Sequence, residues 1–81
     1  SGSEGMARTV YERVLAINPQ EVRALVRLAD IEIGLGNAPR AEDLLARALA
    51  IDPDSEFIRT RLANIRAYTQ GEAPEAAEES A

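Results

Sequence analysis

The phrase Leu15-Ala16-Ile17-Asn18-Pro19 returns as Leu49-Ala50-Ile51-Asp52-Pro53 in a chain of 81 residues, a period of about 34 residues. A repeat at that fixed period constrains the fold more tightly than composition does. A unit of about 34 residues holds two short helices with their connections, and a single unit cannot bury its own apolar face. Stacking the next unit on it does so, and each element then touches mainly its neighbours in sequence. The expectation is an open helical array whose long faces suit binding or assembly more than chemistry.

Apolar residues at helical spacing mark four helices. The first spans about Glu4 to Ile17, through Met6, Val10, Tyr11, Val14 and Ile17. Asn18 is expected to cap the second, with Pro19 in its first position and Glu21 completing an Asn-x-x-Glu capping box. This helix carries Val22, Leu25, Val26, Leu28, Ala29 and Ile33, and stops at Gly34-Leu35-Gly36. Asn37 caps the third, which holds Ala41, Leu44, Leu45, Ala48 and Leu49, with Asp43 and Arg47 as an i,i+4 pair. Asp52-Pro53 repeats the capping arrangement and opens the fourth, which runs to about Gln70 through Phe57, Ile58, Leu62, Ile65 and Tyr68.

The ends read differently. Ser1-Gly2-Ser3 has the look of an expression scar, and residues 1–5 are expected to be disordered. The helical domain then covers 6–70. Residues 71–81 are acidic, with Glu72, Glu75, Glu78 and Glu79 and no large apolar side chain. They offer too little apolar surface to offset ordering, so a disordered acidic tail is expected.

The pattern resembles the tetratricopeptide repeat, whose unit is a pair of antiparallel helices, A and B. Anchored on Pro53, one complete repeat covers residues 22–55, with the family signature on Leu25, Leu28, Ala29, Ala41, Leu45, Ala48 and Pro53 and Gly36-Asn37 in the turn. The preceding segment matches a B helix through Ala7, Tyr11, Val14 and Pro19, and the following one an A helix at Leu62 and Ala63. The resemblance implies an all-α, right-handed helical array, an α-solenoid of four helices in B-A-B-A order. It also implies protein–protein interaction without enzymatic activity.

Three residues depart from the family pattern. Glu32 and Arg66 stand where an aromatic is usual, and Arg59 replaces a large apolar residue. Arg59 and Arg66 are i,i+7 on the face that would meet a further B helix, which reads as a terminal, solvated helix. At the other end, Ala7, Tyr11 and Val14 form an apolar stripe where the missing A helix of the first repeat would pack. Three accounts of that stripe stand side by side: it docks on a second copy, it folds inward onto Leu25 and Leu28, or the chain is a piece of a longer solenoid.

The residue inventory argues against catalysis. The chain has no His and no Cys, and neither Ser55 nor Ser80 has an apparent base. No cofactor motif is present. Asp52, Asp54 and Glu56 alternate as calcium ligands can, but Pro53 intervenes and the glycine and final glutamate of a calcium loop are missing, so capping at a helix start is the better account. A net charge of -5 argues against nucleic acid or an anionic membrane as partner. No apolar run is long enough to span a bilayer, so a soluble chain is expected; the cytoplasm is slightly favoured, but the sequence does not choose a compartment.

Binding is a better prospect. Arg23, Arg27, Asp30 and Gly34 recur at i, i+4, i+7 and i+11 on the second helix, and Phe57, Arg61, Asn64 and Tyr68 take the same places on the fourth. In the family that the chain resembles, these A-helix positions line a ligand groove. Arg23 and Arg27 resemble the basic pair, and Asn64 the amide, of repeats that clamp a peptide carboxylate, though only two of the three A helices of such a clamp are present. The candidate groove is therefore Arg23, Arg27, Asp30, Phe57, Arg61, Asn64 and Tyr68. Because every basic residue of the chain is arginine, it has planar, bidentate donors for an acidic partner peptide. Alternatives are pairing of Arg27 with Asp30 along the helix, and occupation of the groove by the chain's own acidic tail.

Overall fold

The computed structural model describes residues 2–71, and these form four helices: α1 (Gly2–Ile17), α2 (Val22–Gly34), α3 (Ala38–Ile51) and α4 (Glu56–Thr69). α1 packs on α2, α2 on α3 and α3 on α4, the order expected of a stacked array. The sequence period survives in three dimensions. α1 and α3 end on the two isoleucines of the repeated phrase, Ile17 and Ile51, and α2 and α4 begin one period apart, at Val22 and Glu56. The segment 72–81, read above as an acidic tail, lies outside the described residues.

The core is built where three helices share apolar faces. Leu25, Leu28 and Ala29 of α2 meet Ala41, Leu44, Leu45 and Ala48 of α3, and Ile58, Leu62 and Ile65 of α4 close the far side. Each buried leucine or isoleucine removed from water contributes about 1.5–3 kcal/mol. The alanines Ala29, Ala41 and Ala48 are fully buried, and their small side chains let the helix backbones approach closely at the crossing. α1 adds only partly buried side chains to this core, notably Tyr11 and Leu15.

The connections differ from the sequence reading in one respect. Asn18-Pro19 and Asp52-Pro53 do not open helices but form tight turns, with Glu21 N–H donating to the Asn18 carbonyl (3.1 Å) and Ser55 N–H to the Asp52 carbonyl (3.2 Å). An Asn or Asp followed by Pro is the favoured start of a type I turn, because the ring presets the second residue's backbone angle. The Asn18 side chain accepts from Gln20 N–H at 3.2 Å inside its turn. The capping box on Asn18 and Glu21 is therefore absent: α2 starts after Glu21 with no side-chain cap. α4 starts after Ser55, whose hydroxyl accepts from Ile58 N–H at 3.1 Å.

Between α2 and α3, Gly36 adopts a positive φ of 81°. Its N–H donates to the Ile33 carbonyl at 3.0 Å, and Asn37 N–H to the Glu32 carbonyl at 2.7 Å. This pair of bonds closes the last turn of α2 in a Schellman motif, which glycine enters without a Cβ penalty. Asn37 flanks the start of α3 as expected, but its side chain makes no capping bond.

Three smaller points concern the charged surface. α1 begins at Gly2, so residues 2–5 are helical where the sequence reading expects disorder. Arg59 and Arg66 are both exposed: Arg59 bonds Glu56 (2.9 Å) and the Pro53 carbonyl (2.7 Å), and Arg66 pairs with Glu42 of α3 at 3.3 Å. Asp43 and Arg47 are exposed and make no ion pair with each other among the described residues.

Candidate functional site

α2 and α4 are separated in sequence by the whole of α3, yet both contribute to one face of the molecule. Two cavities open on it. The first, of about 360 Å³, is lined by Ile33, Gly36, Ala38, Arg61, Asn64, Ile65 and Tyr68. The second, of about 580 Å³, is lined by Arg23, Val26, Arg27, Asp30, Asp52 and Phe57 among others. All seven candidate groove residues border one cavity or the other. Gly34, which shares their helical phase, does not: a Cβ there would point at Glu4 of α1, 3.3 Å from its carboxylate.

The arginines on this face are not equivalent. Arg23 and Arg27 are exposed and have no hydrogen-bond or ion-pair partner among the described residues. Arg61 is committed: its guanidinium bonds the Asp30 carboxylate across from α2. It also lies over the Phe57 ring, 5.2 Å from the centroid. A cation held over an aromatic face in this way contributes about 0.5–1 kcal/mol at an exposed site. Its Nε is sealed from solvent and has no partner among the described residues; Arg61 lines the first cavity and its partner Asp30 the second. Asp30 thus pairs across the face with Arg61, and not with Arg27 along its own helix. Large apolar side chains lie open around the cavities: Ile33, Phe57 and Tyr68 are 40%, 58% and 64% exposed.

A second polar cluster lies on the other side of α2, and the sequence reading missed it. Glu32 is 0% exposed, the one buried charged residue among those described. Its Oε2 accepts from Arg8 Nε of α1 at 2.9 Å and lies 3.3 Å from the Arg40 guanidinium of α3. Its Oε1 accepts from Asn37 Nδ2 at 3.2 Å. Glu12 of α1 joins through Arg40 at 3.3 Å and Arg8 at 3.7 Å. Where the family usually has an aromatic, this chain thus has a charge-assisted network tying three helices together. The available signal was the misplaced acid itself. Its cations belong to the helix before it and the helix after it, and only the fold brings them together.

The stripe read on α1 turns inward. Ala7, Tyr11 and Val14 are half-buried, with Tyr11 packed against the core. The outer face of α1 instead carries Met6, Val10 and Ile17, exposed by 71%, 56% and 86%. No helix among the described residues is long and apolar enough to cross a membrane.

Comparison with known proteins agrees with this architecture. The family model described as "Tetratricopeptide repeat" matches residues 6–65, from the first turns of α1 into the last of α4. The mRNA 3'-end-processing protein rna-14 of Neurospora crassa is 46% identical over 48 residues, which make up 59% of this chain but only 4% of that protein. No solved structure matches the chain. With the family match extending over far more than half of its length, the chain belongs to the tetratricopeptide repeat family, whose repeats mediate protein–protein interactions and scaffolding.

Proposed function

We propose that the α2–α4 face binds an extended segment of a partner protein and that the chain has no catalytic activity. The observation that carries this reading is the pairing of two partnerless cations, Arg23 and Arg27, with exposed Ile33, Phe57 and Tyr68 around adjacent cavities. A face of that make-up offers bidentate donors for a carboxylate and apolar area for side chains. Asn64 gives an amide for the partner's backbone. The Neurospora relative is named for mRNA 3'-end processing; the shared part is a small fraction of it, so only the binding role of a repeat is carried over here.

The test is a charge reversal on and off the face. A partner captured by the wild-type chain and identified by mass spectrometry should be lost with Arg27→Glu at unchanged helicity. It should be kept with Arg47→Glu on α3, which borders neither cavity. Retention by Arg27→Glu, or loss with both variants, would sink the reading.

A second reading rests on α1, where Met6, Val10 and Ile17 leave an apolar strip in water. Through it the chain self-associates. Light scattering behind size-exclusion chromatography should then show mass rising with concentration, and Val10→Glu should restore a monomer. A monomer throughout overturns it.

A further inference from the structure

Two ion pairs join helices at equivalent places in the array. Arg8 Nε of α1 donates to Glu32 Oε2 of α2 at 2.9 Å, and Arg66 Nε of α4 donates to Glu42 Oε2 of α3 at 3.3 Å. One period of about 34 residues carries Arg8 onto Glu42 and Glu32 onto Arg66. The same two positions are therefore bridged in both repeats, with the charges reversed. In each case the other carboxylate oxygen accepts from a neutral group: Asn37 Nδ2 on Glu32 Oε1 (3.2 Å), and the Thr69 hydroxyl on Glu42 Oε1 (3.1 Å). The apolar contacts repeat without such a reversal. Ala7, Tyr11 and Leu15 of α1 correspond to Ala41, Leu45 and Leu49 of α3. Both helices thus offer one small and two large apolar residues at the same places, and the sign of one charge sets them apart.

From this reversal we infer that the two seats are keyed by charge. The seat on α2 accepts a helix that brings a cation to the place of Arg8, and the seat on α4 one that brings an anion to the place of Glu42. Arg40 of the chain's own α3 lies 3.3 Å from Glu32 on the far side, so the place of Arg8 decides which sign the α2 seat takes. The consequence falls on contacts between copies, because connection 18–21 already ties α1 to the α2 of its own chain. When two copies meet partly open, α1 of one fits the α2 seat of the other. Its α3 does not, since Glu42 would face Glu32. Likewise α1 on α4 would set Arg8 against Arg66. Exchange is thereby held to α1 for α1, which closes as a dimer; a misplaced α3 would leave seats unfilled and continue into open chains. The two seats differ in strictness. Glu32 is fully buried, where a like charge is poorly screened, whereas Glu42 and Arg66 are 30% and 49% exposed and water weakens their effect. None of the four residues lines either cavity of the α2–α4 face, so this discrimination goes beyond the proposed function and does not depend on it.

Native-state hydrogen exchange on the full chain tests the key. Arg8→Gln removes the cation and Arg8→Glu presents the wrong sign, so α1 amides should exchange at least about tenfold faster in the second than in the first. Adding Glu32→Gln to both should bring them within about twofold, the remainder being repulsion from Glu12 one turn away. If Arg8→Glu does not fold, recovery of folding on adding Glu32→Gln reads the same clash. Equal rates for Gln and Glu at position 8, or an excess that survives Glu32→Gln, would overturn the key. Between copies, Glu42→Arg with Arg66→Glu keeps a bridge from α3 to α4 but gives α3 the cation that α2 takes. Refolded from urea at high concentration, this variant should hold at least about fivefold more mass above the dimer than the wild type, by light scattering behind size-exclusion chromatography. A variant that folds to wild-type helicity and forms no more of these species would overturn the inference that charge confines the exchange.

Discussion

At Glu32 a carboxylate is held out of water between Arg8 of one neighbouring helix and Arg40 of the other. Desolvating a carboxylate costs several kcal/mol, and the pairing offsets that only while both cations and Asn37 are in place. Replacing the acid and replacing its partners should therefore act in opposite directions. Arg8→Ala with Arg40→Ala leaves the charge buried and is expected to cost about 3–5 kcal/mol, less whatever water can reach the site from the half-exposed arginine side. Glu32→Leu removes the buried charge and frees two arginines that already reach solvent, so it should be neutral or stabilising by about 1–4 kcal/mol. Urea denaturation followed by circular dichroism reads both; a Glu32→Leu variant as unstable as the double arginine variant would contradict this account. The sequence marked Glu32 as out of place, but its partners depend on α1 and α3 lying on either side of α2.

Among the helices, α1 is the least firmly held. None of its described side chains is fully buried, and it joins the array through half-buried Tyr11 and Leu15 and through ion pairs of half-exposed arginines, Arg8 with Glu32 of α2 and Arg40 of α3 with Glu12. Local opening follows buried contact, so α1 is expected to open first. Native-state hydrogen exchange should show α1 amides exchanging well ahead of those around Leu44 and Leu45 in α3; equal protection along both would refute the ranking. Helix existence was legible from the apolar period, and the ends of α1 and α3 from the repeated phrase. The starts of α2 and α4 fall later than the sequence reading places them. Asn-Pro and Asp-Pro satisfy both a cap and a turn, and only the backbone bonds from Glu21 and Ser55 distinguish the two.

The whole molecule depends on one small core. Leu45 is fully buried on α3, the helix that joins the α2 and α4 halves of that core. Leu45→Ala should cost about 2–5 kcal/mol, comparable with the total stability of so short a chain. Its thermal transition should therefore fall steeply or vanish, and a melting temperature within a few degrees of the wild type would show that the array does not rest on this helix. The sequence by itself determined the repeat, the four helices, the apolar and small residues of the core and the family, because all of these follow from spacing along one chain. It also put the seven groove candidates in one helical phase, and all seven border the two cavities. Only the tertiary structure decided which of their charges are free. Arg61 finds Asp30 on a helix distant in sequence and leaves Arg23 and Arg27 open, Glu32 gains its cations, and α1 turns Tyr11 of its stripe inward while Ile17, outside the stripe, stays in water. Periodicity assigns a side chain to a face of its own helix; what that face meets is set by packing between helices, which local spacing does not encode.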